Sequence, residues 1–216
     1  MNLSKRLLSL LLLFTLSYGA PLLADNLSDK LAENKAALRI LTPFKSVQVF
    51  QGEFEQHKKM PFFANAFIST GRFLSIRDRG LIWETQTPAP STLVMTPGKV
   101  IQKTNGREQT FQASGTGYDG LGILLPAFLD GDLELLESYF EVSAQEQPTG
   151  WELTLIPRSK ELKTLISEVK VLGNSSQLSE ISMTGPNGDH TRIAFKSLSL
   201  SYEAPDAASL AAFKQP

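Results

Sequence analysis

Chemistry at a protein site needs a group that moves a proton, attacks a bond or holds a metal. This chain offers few such groups in a usable order. It has no cysteine and only two histidines, His57 and His190. Neither has a second ligand at metal spacing. His190 sits in a Gly-Asp-His-Thr turn and His57 precedes Lys58 and Lys59 at a strand end, so both read as solvated side chains. No Gly-x-Ser-x-Gly elbow occurs. The Ser-Gly-Thr-Gly stretch at 114–117 lacks the lysine of a phosphate loop. Asp130-Gly131-Asp132-Leu133-Glu134 has the start of a calcium loop but not its later ligands or mid-loop glycine, and Asp130 reads as the N-cap of a helix. No carboxylate pair stands out. The residues therefore point to no enzyme, no cofactor and no metal.

Apolar residues carry most of the information. Lys5 and Arg6 precede an almost uninterrupted apolar run at 7–16. Spanning a bilayer takes roughly twenty residues, about twice that run. Gly19, Pro21 and Ala24 follow, which is the layout of a secretory signal peptide cut after Ala24. The mature chain is then expected to be one domain over 25–216. The formal charge is −1, and removing Lys5 and Arg6 with the leader makes the rest more acidic. That balance gives no basic stripe for nucleic acid. Without cysteine there is neither a disulfide nor a lipid-modified N-terminus.

Residues 27–41 read as a helix, with Leu27, Leu31, Leu38 and Leu41 at helical spacing, Ala37 and Ile40 broadening the stripe, Asn26 as cap and Pro43 as stop. Strands are expected at 49–56, 66–76, 81–85, 92–96, 100–104, 108–113, 151–157, 164–172, 177–184 and 191–202. Gly, Pro and Asn turns join them. Two short helices, 120–129 and 132–140, interrupt the order, and the first is almost wholly apolar. A helix apolar all round must be covered on several sides or meet a greasy ligand. The tail from Ala204 reads as a loosely packed C-terminus. Short strands joined by tight turns predict an antiparallel sandwich or barrel.

One stretch is more specific. It runs Phe50-Gln-Gly-Glu-Phe54-Glu-Gln56, then Gly71-Arg-Phe73, Arg77, Trp83, Pro88 and Gly98-Lys99. Gly71 lies fifteen positions after Gln56, Trp83 twelve after Gly71, and Pro88 five after Trp83. This ordered spacing resembles the LolA family of outer-membrane lipoprotein carriers. The amphipathic helix before it and the helical insertion after it come in the family's order.

The resemblance implies a mainly β fold with helices: an open antiparallel half-barrel with a helical lid over a hydrophobic cavity. It implies a periplasmic carrier, expected to be monomeric, that shields the acyl chains of lipoproteins. Its partners would be an inner-membrane ABC-type releasing complex and an outer-membrane receptor. The family's lid-locking arginine matches Arg77 by position, although Asp78 stands where a proline is familiar and Arg79 is close by. Cavity-lining residues would be Phe50, Phe54, Phe73, Trp83, Leu93, Met95, Trp151 and Leu153. An ordinary packed core wants the same residues, and only the resemblance assigns them to cargo. Lid residues would be Leu31 and Leu38 from the first helix, and Ile123, Leu124 and Phe128 from the insertion. The segment after Tyr202 departs from the family pattern. That departure leaves open a related carrier of another acylated lipid or pigment beside an inner-membrane exporter, or a periplasmic lipid-sensing regulator.

Overall fold

The computed structural model describes residues 20–112, 124, 127–174 and 177–213, with side chains from residue 30 onward. The basic start and apolar run of the expected leader lie outside these residues, as does Ile123.

Eleven antiparallel strands form one open sheet. They are β1 (Val49–Lys59), β2 (Phe67–Ile76), β3 (Gly80–Thr87), β4 (Ser91–Met95), β5 (Lys99–Thr104), β6 (Arg107–Gln112), β7 (Phe140–Gln147), β8 (Gly150–Pro157), β9 (Glu168–Asn174), β10 (Gln177–Thr184) and β11 (His190–Ser201). The order across the sheet is β6-β5-β4-β3-β2-β1-β11-β10-β9-β8-β7, so β6 and β7 are its two edges. All neighbours except β1 and β11 are sequence hairpins, as tight turn chemistry dictates. The β1–β11 seam joins the two halves, with Phe54 opposite Phe195.

Period-2 alternation puts one apolar side of each strand on a common concave face. Phe50 and Phe54 of β1, Phe73 of β2, Trp83 of β3, Leu153 of β8, Val171 of β9 and Ile193 of β11 all belong to one buried cluster. Both halves of the sheet therefore wrap the same interior.

Among the described residues, helices α1 (Ala20–Leu41), α2 (Leu133–Tyr139), α3 (Lys160–Lys163) and α4 (Ala207–Ala212) accompany the sheet, and residues 124 and 127–129 of the insertion are also helical. A 3-10 turn, Thr42–Phe44, follows α1, because Pro43 cannot continue the α-helical hydrogen-bond ladder. No helix among the described residues is long and apolar enough to cross a membrane.

Several expectations are corrected. α1 starts at Ala20 rather than at residue 27, so Asn26 lies inside it and is not its cap. The cap of α2 is Asp132, whose carboxylate accepts from the Leu135 amide at 3.0 Å, and not Asp130. Residues 164–167 are not strand: Ser159 caps the turn of α3 through the Leu162 amide, and the β9 ladder begins at Glu168. Strand β7 was absent from the expected set. Its Phe140, Val142 and Ala144 alternate with polar residues, a weak signal that the preceding helix masks. The tail carries α4, capped by Asp206, which accepts from the Ser209 amide at 2.7 Å. That backbone hydrogen bond holds the Asp206 carboxyl below its ordinary range. Ala212 of α4 lies beside Gln51, Leu74 and Ile82 on the outer face of the sheet.

Candidate functional site

The concave face carries an aromatic floor. Phe54 stacks on Trp83 with ring centroids 3.9 Å apart, and Phe73 lies 5.9 Å from Trp83 and 5.0 Å from Phe50. Phe195 closes the group edge-on against both Phe73 and Trp83. Gly71 makes this packing possible. A Cβ there would sit 2.8 Å from two ring carbons of Phe54 and would collide with the Glu84 carbonyl. Leu93, opposite Trp83 in the β3–β4 ladder, is half-buried, and Met95 is buried.

In the other half of the sheet, Trp151 and Leu153 of β8 are buried. Helical segments cover them. Phe44 of the 3-10 turn lies 4.7 Å from Phe128 of the insertion, and Phe128 stacks on Trp151 at 6.1 Å. Phe44, Leu124, Phe128 and Leu136 are all fully buried. The interior is thus filled by helical side chains from α1, the 3-10 turn, the insertion and α2.

The structure differs from expectation on which residues do the filling. Leu31 is 53% exposed and Leu38 is 42% exposed, so these two expected lid residues face away from the interior. Of the expected stripe α1 buries Ala37, Ile40 and Leu41, together with Ala36. Small residues let the helix lie close, and the chain turn at Pro43 brings Phe44 onto Trp151. Leu124 and Phe128 do face inward.

One arginine ties these segments together. Arg77 is in the β2–β3 turn, where Asp78 and Gly80 take φ of 60° and 130°. Its Nε donates to the Val47 carbonyl at 2.8 Å. Its Nη2 donates to the carbonyls of Phe44 at 2.8 Å and Leu129 at 3.0 Å. Its Nη1 reaches Asp130 Oδ1 at 3.2 Å. Only 17% of its side chain is exposed, whereas Arg79 is exposed. The planar fork therefore bridges the 3-10 turn, the segment entering β1, and the end of the insertion. Burial pushes the Asp130 carboxyl above its ordinary value, Arg77 pulls it back down, and Asp78 and Asp132 add to the rise.

Gly131 sets the insertion against this junction. Its φ of 63° ends the helical turn, and a Cβ there would press within 2.7 Å of the Leu41 carbonyl. Beside the arginine is a cleft of about 330 Å³, lined among others by Val47, Phe50, Arg77, Met95, Leu129 and Asp130. That is the lower end of the size range of ligand pockets.

Sequence reasoning missed Phe44, Phe195 and the Arg77 acceptors. Phe44 follows a helix-stopping proline and Phe195 sits on the last strand, so no local pattern connects either to Trp151 or Trp83. Asp130 was read as a cap because the cap and ion-pair roles share one residue type. Among the described residues there is no cluster of three or more metal-binding side chains.

An open antiparallel sheet whose apolar concave face is plugged by helices, with one buried arginine joining the plugs, is a mainly β, hydrophobic-cavity architecture. This chain belongs to the LolA family: the model of that family, described as outer membrane lipoprotein carrier protein LolA, matches residues 45–209. No curated protein matches it in sequence. Among solved structures, a DUF1329 family protein from Desulfovibrio piger is similar with a TM-score of 0.50 and 10% identity, over 84% of this chain and 97% of that one. A putative outer membrane lipoprotein-sorting protein domain from Vibrio parahaemolyticus is similar at 0.46 and 11% identity, over 85% of this chain and 100% of that one. A LolA superfamily protein from Nitrosomonas europaea is similar at 0.42 and 11% identity, over 79% and 96%.

Proposed function

We propose that this protein is a periplasmic carrier that takes up acyl chains into the concave face after its helical plugs swing out. The observation that carries the reading is the Arg77 fork, which ties three separate segments over one apolar interior by hydrogen bonds to backbone carbonyls. Removing an acyl chain from a membrane exposes methylenes at about 0.8 kcal/mol each, so about fifteen of them amount to roughly 12 kcal/mol. A carrier has to offset that cost and still let the chain go. Exchanging the plug's apolar contacts for those of the chain keeps the net change small. The few polar bonds at Arg77 then weigh the closed state against the open one.

The first 24 residues act as an export signal in this reading, and residues 25–216 make the carrier. An inner-membrane releasing complex supplies cargo and an outer-membrane receptor accepts it. Cargo of the family's kind is an acylated lipoprotein. Helix α4 follows β11 where the resemblance implies a closing strand, and an acylated lipid handed over by an exporter is the second reading.

Native mass spectrometry with lipid extraction, on protein purified from the periplasm without detergent, tests this. A co-purifying acylated species is expected, and its mass separates lipoprotein from lipid. Protein free of any acyl species, both as isolated and after incubation with an acylated peptide, overturns the reading.

A further inference from the structure

The end of the sheet away from Arg77 carries an unusual surface. The β1–β2 connection, residues 60–66, exposes Phe62 to 93% and Phe63 to 51%, and the first two residues of β2, Phe67 and Ile68, are 51% and 53% exposed. A loop tip has no reason to hold three phenylalanines in water. The tip is ordered by the chain itself: Phe63 packs edge-on against Phe67 at 5.2 Å, its amide bonds the Met60 carbonyl, and Lys59 Nζ donates to the Ala64 carbonyl at 2.9 Å. Two lysines, Lys58 and Lys59, precede it, and no acidic residue occurs between Glu55 and Asp78.

The tip is also continuous with the interior. β1 and β2 pair without a register break, so Phe67, Gly71 and Phe73 point to one face. That face is the concave one, where Phe73 meets Trp83. Phe63 and Phe67 therefore extend the aromatic floor past the rim of the sheet. Lys58 stands directly opposite Phe67 at this rim.

We infer that the β1–β2 loop is a membrane-docking tip that dips Phe62 and Phe63 into an anionic lipid surface and opens the concave face directly onto the bilayer. Aromatic rings with flanking lysines suit the interface, the rings in the acyl boundary and the ammonium groups at the lipid phosphates. An acyl chain passing along Phe63 and Phe67 would reach Phe54, which packs over Gly71, and then Trp83 without crossing water. This inference rests on the carrier reading for its purpose, but surface binding is read separately from cargo loading.

The test is sedimentation of the purified chain with vesicles of phosphatidylglycerol and phosphatidylethanolamine, beside vesicles of phosphatidylcholine. Wild type is expected to pellet with the anionic vesicles. The Phe62→Ser, Phe63→Ser double variant should bind more weakly, by on the order of tenfold or more. Lys58→Gln and Lys59→Gln should each cost about fivefold on anionic vesicles and nothing on neutral ones. Phe62 is nearly fully exposed, so circular dichroism should show the double variant folded. Acyl content by mass spectrometry is measured on the same samples and reports on the carrier reading alone. Wild type left in the supernatant, equal pelleting of the double variant, or binding only to vesicles that carry membrane proteins would each overturn the inference.

Discussion

Arg77 differs from Arg39 and Arg72 in what it bonds; like Arg158, which donates to the Glu137 and Phe140 carbonyls, it serves backbone oxygens. Arg39 and Arg72 pair with the exposed carboxylates of Glu146 and Glu84, contacts worth little in water. Arg77 instead serves carbonyls that a closed interior leaves without water, and charged hydrogen bonds of that kind contribute about 1.5–3 kcal/mol each. Arg77→Leu removes all of them, and the closed state should lose at least about 3 kcal/mol, about a hundredfold or more in the open–closed ratio. The expected result is a variant that is isolated with more acyl cargo and releases it poorly to an acceptor membrane, read by cargo mass and a transfer assay. Normal transfer would remove Arg77 from the gating role. Glu55 allows a second test at this scale. Lys196 across the β1–β11 seam and His57 two residues on hold its carboxyl at about 2, against an ordinary 4.5. The folded value is the lower one, so its stabilisation is fully present above the unfolded value and fades as pH falls towards the folded one. The unfolding midpoint of Glu55→Gln should therefore fall less steeply than that of wild type between pH 4.5 and about 2. High salt should narrow the difference, because the pair is near the surface.

At the scale of elements, the β1–β2–β3 hairpins do two jobs. They build the aromatic floor, and their turn presents Arg77. Gly71 joins these roles, since the Phe54 ring occupies the space a side chain would need. Gly71→Ala should destabilise the fold by roughly 1–3 kcal/mol through overpacking. It should also move Phe54 off Trp83, so near-ultraviolet circular dichroism and the thermal midpoint should change together. An unchanged midpoint would mean that the sheet gives way there at no cost. The helical elements behave differently. α2 and α4 are short and capped by Asp132 and Asp206, and helices of this length hold only by packing. Of these two only α2 contributes to the interior, through Leu133 and Leu136, and so short a segment can leave it without dismantling the sheet, which is what exchange with an acyl chain demands.

At the scale of the molecule, the interior is one cluster shared by both halves of the sheet and by the helices. A chain entering it must displace Phe44 and Phe128 from Trp151. Incubation with a fatty acid brominated along its chain should therefore quench the emission of Trp151, while unbrominated acid should not. Trp151→Phe leaves Trp83 to report on the floor, and Trp83→Phe leaves Trp151 to report on the plug. Quenching of neither would mean that the interior stays closed to acyl chains.

The sequence by itself determined ten of the eleven strands, because period-2 alternation and Gly, Pro and Asn punctuation are local properties of the backbone. The spacing from Phe50 to Gly98 pointed to the family, and the position of Arg77 after Gly71 pointed to the arginine. Local pattern failed where two roles compete for one residue type. Leu31 and Leu38 have the spacing of a buried stripe, yet α1 turns only its Ala37, Ile40 and Leu41 side inward, because the angle at which a helix meets a sheet is set by the shapes of both. Asp130 reads as the cap of the second helix, but the Arg77 fork takes it and Asp132 does the capping. Only the tertiary structure decided that Phe44 fills the space over Trp151, that β7 forms one edge of the sheet, and that Phe62 is left almost fully exposed. Each of these depends on which distant surfaces meet, and a contact between positions a hundred residues apart leaves no periodicity in a single chain.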